Sequence, residues 1–539
     1  MGLSFNIKND LDANNNNSKL LTFLAISFIT IAIYIIVIVF ILPKFYIDDF
    51  QIFSIISKST SNLPHRFYLS LRPFSYGWFK FEYAICGLNP IGMKLCALIL
   101  HVILIFTFFN TLILISHLFQ FRVNFKSIAL FTLVFSLNPE SSVWIFVINN
   151  QTELVSTLFY GLSIYMVLKY FYNSSENVLY LILSLIFYTI AILSKQQPLH
   201  FPLLVLFLLF IFRDKINSKR FSNALIFSLF GVLIMLMVSY INLHFSVYSL
   251  TISDIYKKPF SIMGLLASSI FPVLTDYIYY FVLFNKPVAI ILSLILLSAA
   301  FLILYYRKTY IKIFIEVSIG FLIILYPRLY LGYTDRINSI LIYWSIIFLF
   351  VLYNNVSFTS AKRYLLNSYA LFMFAFLVVN VKNYKDYFDK FINQRKALVN
   401  IINDNYSNSQ YLIACSLLPY LVPYDIHFEN NGSFGKDENL KVLPINCYLL
   451  SPVFSGPINK PIISANLKNG NLKIQLLSNK FILDYDLQNQ MLNQYPAKSM
   501  QKSARGYSVI ELKIPTIMER LRTHIIYYNG MNWERITKN

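Results

Sequence analysis

Charge is what this chain has least of. Only 13% of its 539 residues are charged, against 57% hydrophobic, roughly half the charged share of an ordinary soluble domain. That excludes a string of soluble domains and leaves a membrane protein, whose natural unit is an apolar run of roughly 20 residues. Cysteine is as scarce. Four residues, Cys86, Cys96, Cys415 and Cys447, are too few for a disulfide scaffold and lack the CxxC spacing of a zinc site. No HxxxH or HExxH occurs to bind zinc through histidine. No internal repeat is visible. "GLNPIGMK" at 87–94 approaches a phosphate-loop pattern, but Met93 stands where that loop needs lysine and no strand precedes it.

Acidic side chains are also few, 25 against 45 basic, for a net charge of +20. Nucleic-acid binding would need that excess clustered in a soluble segment. It lies instead in short connections between apolar runs, where basic residues meet anionic lipid and fix orientation. Nucleic acid is therefore excluded as a partner, and membrane lipid is included.

The first apolar run, 20–42, is too long for a signal-peptide core and lacks a small-residue cleavage pattern, so it reads as a retained signal anchor behind a disordered tail, 1–19. Further spans are expected at 94–118, 125–137, 153–172, 178–194, 198–212, 221–243, 287–306, 310–327, 337–354 and 364–381, eleven in all. Lys and Arg alternate with them. With a cytoplasmic N-terminus, the inside connections hold Arg122 and Lys126, Lys169, "RDKINSKR" at 213–220, Arg307, Lys308 and Lys312, then Lys362 and Arg363. The outside connections hold none in 138–152, then Lys195, then Lys257, Lys258 and Lys286.

This arrangement makes residues 20–382 a transmembrane domain with long outer loops at 43–93 and 245–286. Within the first loop, "FQIFSIISKS" and "SYGWFKFEYAI" read as amphipathic helices on the membrane surface. Residues 383–539 turn polar and read as a small extracytoplasmic α+β domain, with helical periodicity in "KNYKDYFDKFINQRKALVNIIND" and strand alternation in "NLKIQLLSNKFILDYDL" and "YSVIELKI". Cys415 and Cys447 both lie there, as a disulfide or as two buried thiols.

The unusual polar residues of the membrane region fall at the outer ends of spans. Asp48 and Asp49 follow span 1, Arg72 and Glu82 lie in the first outer loop, and Glu140 and Glu153 flank the second. Lys195 follows span 5, Asp276 lies in the fourth outer loop, and Arg336 follows span 9. Ionisable groups at such a boundary mark a substrate cavity. Carboxylates with cations suit the transfer of a sugar from a lipid phosphate to a hydroxyl: Asp48 or Asp49 as general base, Lys195, Arg336 and Arg72 for the donor phosphate, and Glu82, Glu140, Glu153 and Asp276 lining the cavity. The same aspartates also fit a helix cap, and the cations fit interfacial snorkelling. His101, inside an apolar run, fits a hydrogen bond within the bundle better than a ligand, but faces the same region. Outer carboxylates would accommodate a divalent cation, which nothing in the sequence requires.

The order of motifs resembles the membrane-embedded GT-C glycosyltransferases, in particular the protein O-mannosyltransferases, the transmembrane-and-TPR O-mannosyltransferases and their bacterial relatives. The resemblance is carried by "YIDDF" after the first span, "LRPFSYGWFKFEYAICGLNPIGMKLCALILH" at 71–101, "NPESSVWIFVINNQTELVS" at 138–156, "LSKQQPLHFPLL" at 193–204, "FPVLTDYIY" at 271–279 and "YTDRINSI" at 333–340. It implies inverting transfer from an undecaprenyl- or dolichyl-phosphate sugar to a protein, lipid or glycan, with Asp48 preferred to Asp49 as base. Asn138 stands where the family has His, no Arg occurs at 149–151, and Gln196 replaces an acid. A transporter or lipid flippase, and a degenerate scaffold of the same fold, are the alternatives.

Overall fold

The computed structural model describes residues 13–42, 72–245 (apart from positions 88, 122, 174–176, 196, 214 and 215), 339–355, scattered positions within 319–323 and 364–393, and ten strands between 410 and 536. The chain divides into two units, one holding the helices and the other the strands.

In the helical unit, α1 (Ala13–Ile36) passes directly into a π turn, Val37–Ile41. There follow α2 (Pro73–Cys86), α3 (Pro90–Leu118), α4 (Phe125–Ser136), α5 (Pro139–Phe146), α6 (Gln151–Tyr172), α7 (Leu179–Ser194), α8 (Phe201–Phe212), α9 (Ser218–Phe245) and α10 (Ser339–Asn355). Short 3-10 turns, Ile148–Asn150 and Gln197–His200, lead into α6 and α8. The segments Ser18–Ile41, Pro90–Leu118, Gln151–Tyr172 and Ser218–Tyr240 are each long and apolar enough to cross a bilayer, with shorter apolar helices between and after them. This is an integral membrane protein, mainly helical. The span expected at 287–306 and nearly all of that at 310–327 lie outside the described residues.

Asparagine starts several of these helices, which suits a chain poor in aspartate. Asn89 and Asn124 accept backbone N–H bonds in the first turns of α3 and α4, and Asn177 and Asn217 do the same for Leu179 and Arg220. An asparagine cap supplies an acceptor to amides that have none inside the helix.

The connection 138–152, read from sequence as an outer one, holds the short helix α5 and a 3-10 turn, with Trp144, Ile145, Phe146, Val147 and Ile148 all buried. Its apolar "WIFVI" is withdrawn from water by folding back into the bundle.

Helices α3 and α6 form the centre. Phe108 of α3 stacks on Phe135 of α4 with ring centroids 4.2 Å apart, and Tyr343 of α10 meets Phe108 edge-on at 5.0 Å. Gly161 lets α10 and α3 close on α6: an added Cβ would lie 3.3 Å from Tyr343 Cε2 and 3.5 Å from Leu104 Cδ1. Helices α6 and α7 run antiparallel and are bonded through small polar residues. Ser163 and Ser184 each donate to the other's carbonyl, at 2.7 and 2.9 Å, and Ser156 donates to Ala191 O at 3.0 Å. Small hydroxyl residues allow such close approach between helices in lipid.

In the second unit, one sheet runs β10-β9-β1-β2, with β1 (Gln410–Cys415) parallel to both β2 (Leu440–Val442) and β9 (Thr523–Tyr528), and β10 (Trp533–Ile536) antiparallel to β9. The other is antiparallel, β3-β6-β8-β5-β4, with β7 (Ala497–Lys502) also on β8. Its β5 (Asn471–Leu476), β6 (Phe481–Tyr485) and β8 (Tyr507–Lys513) fall in the stretches that alternate in the sequence, and β4 is Ile463–Lys468. Cys415 ends β1 of the first sheet, whereas Cys447 lies within β3 (Ile445–Leu449) of the second.

Candidate functional site

Polar side chains gather at the end of the bundle where α3, α6 and α10 begin and α4 and α7 finish. Glu153, in the first turn of α6, is fully buried and forms an ion pair with Lys195, the residue that caps the C-terminus of α7. Gln197 Nε2 donates to Glu153 Oε1 at 2.7 Å, and Ser339 Oγ, at the start of α10, donates to Glu153 Oε2 at 2.9 Å. The Ser339 hydroxyl also lies 3.1 Å from Gln197 Oε1, sharing its proton between two acceptors.

The placement follows helix electrostatics. A helix N-terminus favours a carboxylate and a C-terminus favours a cation, and the antiparallel α6 and α7 present these two ends side by side. The pairs 163/184 and 156/191 set the register that brings 153 opposite 195. Buried charges persist only when paired and hydrogen-bonded, and Glu153 has three donors.

A second chain of hydrogen bonds supports Gln197 from below. Trp344 Nε1 donates to Tyr160 Oη at 2.6 Å, Tyr160 Oη lies 2.8 Å from His200 Nε2, and His200 Nδ1 lies 3.1 Å from Gln197 O. Because a carbonyl only accepts, Nδ1 carries the proton and Nε2 accepts from Tyr160. The chain runs in one direction from α10 through α6 to the turn that holds Gln197.

Helix α2 lies across these helix ends. Ser75 Oγ donates to Ser194 O at 2.9 Å, next to Lys195, and Trp78 Nε1 donates to Gln151 Oε1 at 2.8 Å, two residues before Glu153. Its buried face carries Ser75, Tyr76, Phe79 and Glu82, while Phe74, Phe81 and Ile85 are exposed. A helix that buries polar residues and exposes aromatic ones suits the membrane interface. Arg72 precedes its first turn and accepts Tyr76 N at 3.0 Å through its carbonyl. Glu140 is the second residue of α5.

His101, expected to face the cavity, is held by protein groups on both sides of its ring. It is fully buried, accepts from Trp144 Nε1 at Nδ1 (3.2 Å) and bonds Ser136 O through Nε2 (3.0 Å). Tyr34 Oη donates to the same carbonyl at 2.7 Å. The histidine therefore caps the C-terminus of α4, and both ring nitrogens are occupied by protein. Asp48, Asp49, Asp276 and Arg336 lie outside the described residues, as do the side chains of Cys415 and Cys447. Among the described residues no three His, Cys, Asp or Glu gather as for a metal ion.

Gln197, Ser339 and Lys94 are polar participants that the sequence reading missed. Lys94, buried one turn into α3, donates to Leu42 O at 2.9 Å and so holds the end of the first span. A lysine within an apolar run was the available signal.

Among solved structures, the chain is similar to the crystal structure of ArnT from Cupriavidus metallidurans bound to undecaprenyl phosphate. The two share 15% identity and a TM-score of 0.37 over 80% of this chain and 93% of that one. A likeness at that level leaves the function to the chemistry of the site. No family model matches the chain, and no curated protein sequence matches it.

Proposed function

We propose that this protein is a membrane glycosyltransferase that moves a sugar from a polyprenyl-phosphate donor to an acceptor hydroxyl at the outer face of the membrane. The observation that carries the reading is the buried Glu153–Lys195 pair with Gln197 and Ser339, an ordered polar cluster at one end of an otherwise apolar bundle. The order of sequence motifs supports it independently.

In this reaction a carboxylate, Asp48 before Asp49, takes the acceptor proton as the acceptor oxygen attacks the anomeric carbon. The bond from that carbon to the phosphate oxygen breaks on the opposite side, inverting the configuration, and the phosphate leaves with the bonding electrons. Lys195, Arg336 and Arg72 receive the added negative charge. Glu153 holds Lys195 in a fixed, desolvated position, so that little reorganisation remains when the phosphate arrives. Glu82, Glu140 and Asp276 are the further candidate residues for the substrate cavity, and residues 383–539 are the candidate aid to acceptor binding. The finer placement, in the O-mannosyltransferase branch and in a bacterial inner membrane with a cytoplasmic N-terminus and an extracytoplasmic C-terminal domain, rests on motif order and charge alternation.

The test uses purified full-length protein, a labelled polyprenyl-phosphate hexose and a crude acceptor fraction. Transfer by the wild type and none by the Asp48→Asn, Asp49→Asn double variant is the expected result. Undiminished transfer by that variant removes the proposed base.

A further inference from the structure

Cys86 and Cys96 have no part in the chemistry above. Their Sγ atoms lie 3.8 Å apart, both residues are partly exposed, and they are ten positions apart in sequence. Three local features bring them together. Gly87 ends α2 with φ of +58°, a left-handed conformation that side chains resist, and its N–H bonds Tyr83 O at 2.8 Å. Asn89 then restarts the chain as the cap of α3, accepting from Ile91 N and Gly92 N. Gly92 lies one helical turn before Cys96 on the same face, and a Cβ there would sit 3.0 Å from Cys86 Sγ and 3.1 Å from Cys86 Cβ. The bare backbone of Gly92 makes the space that the Cys86 sulfur occupies beside Cys96.

We propose that Cys86 and Cys96 form a disulfide that staples α2 to α3. A bonded pair stands about 2.05 Å apart, so the sulfurs close by roughly 1.8 Å, a movement within the range of side-chain rotation. The step is exchange with a thiol–disulfide oxidoreductase in its disulfide form. One thiolate attacks that disulfide to give a mixed disulfide, and the second displaces the carrier thiol. Two protons and two electrons leave the cysteines, and the carrier ends as a dithiol. Both cysteines lie at the bundle end that the charge alternation assigns to the outside, the side on which disulfides persist. The bond would fix α2, and with it the Ser75 and Trp78 contacts beside Lys195 and Glu153.

The experiment takes the full chain in native membranes. Thiols are blocked with N-ethylmaleimide in SDS, so that burial does not protect them; the protein is then reduced, labelled with a heavier maleimide and mapped by mass spectrometry. Cys86 and Cys96 are expected to carry the heavier label together, and an unreduced digest is expected to yield their peptides joined, two hydrogens lighter than the sum. Cys86→Ser should move Cys96 to the first label. Gly92→Ala should lower the oxidised fraction, while Gly77→Ala, whose Cβ meets nothing within 4 Å, should leave it unchanged. N-ethylmaleimide on both wild-type cysteines, or linkage of either to Cys415 or Cys447, overturns the proposal.

Discussion

Glu153 and Lys195 meet because two antiparallel helices end together, one offering its N-terminal turn and the other its C-cap. Removing the carboxylate from beside a buried ammonium is costlier than removing both, since breaking such a pair costs about 3–5 kcal/mol whereas exchanging it for packed neutral groups is often near neutral. Glu153→Gln is therefore expected to lower unfolding stability in detergent by that order, and the added Lys195→Met to recover part of the loss. Strictly additive single effects in denaturation curves would argue against a coupled pair.

Tyr160 joins α6, α10 and the Gln197–His200 turn through one hydroxyl. Tyr160→Phe keeps the ring but strands Trp344 Nε1 and His200 Nε2, each worth about 1–3 kcal/mol when left unsatisfied. The variant should fold with reduced stability and lose transfer activity beyond what its folded fraction explains, because Gln197 would lose its support. Full specific activity would show that the chain of bonds from Trp344 does not position Gln197.

Gly161 and Gly77 offer a paired test of packing. Gly161→Leu would force α10 and α3 away from α6 and is expected to abolish folded protein in detergent. Gly161→Ala should cost about 1–3 kcal/mol, in the range of overpacked cores. Gly77→Ala, in the open, should be neutral or stabilising, as alanine is the better helix former by about 1 kcal/mol. Size-exclusion profiles and melting curves distinguish these outcomes.

Orientation can be read at two exposed positions. In a cysteine-free background, Lys80→Cys on α2 should react with a membrane-impermeant maleimide on intact cells, and Asn177→Cys, before α7, should react only after lysis. The reverse pattern would put the Glu153 cluster on the cytoplasmic side.

Much of the helical unit was legible because apolar length alone marks a span. The helices begin a few residues ahead of some runs, as α3 does at Pro90 rather than Lys94, because the caps are polar and fall outside a hydropathy window. Burial of Trp144–Ile148 was not legible, since the charge and prolyl start ahead of them read as a loop. The polar cluster was half visible. Glu153 and Lys195 stood out as ionisable residues at span ends, but Ser339 is 186 residues from Glu153, and nothing local marks a serine as the partner of so distant a carboxylate. His101 was conspicuous for the opposite reason: a titratable side chain in an apolar run draws attention, although here it satisfies the carbonyl that ends α4.

The π turn at Val37–Ile41 has a consequence for phase. A π turn accommodates one residue more than the α-helical repeat, and each residue of an α-helix advances the chain by about 100°. Leu42, whose carbonyl Lys94 holds, therefore leaves the first span rotated by about that angle from where an unbroken α-helix would deliver it. Lys94 anchors an angular offset as much as a position: deleting one residue from 37–41 would let the segment close into an unbroken α-helix with Leu42 still facing α3, whereas deleting one from the α-helical part of the span would turn its exit by about 100°.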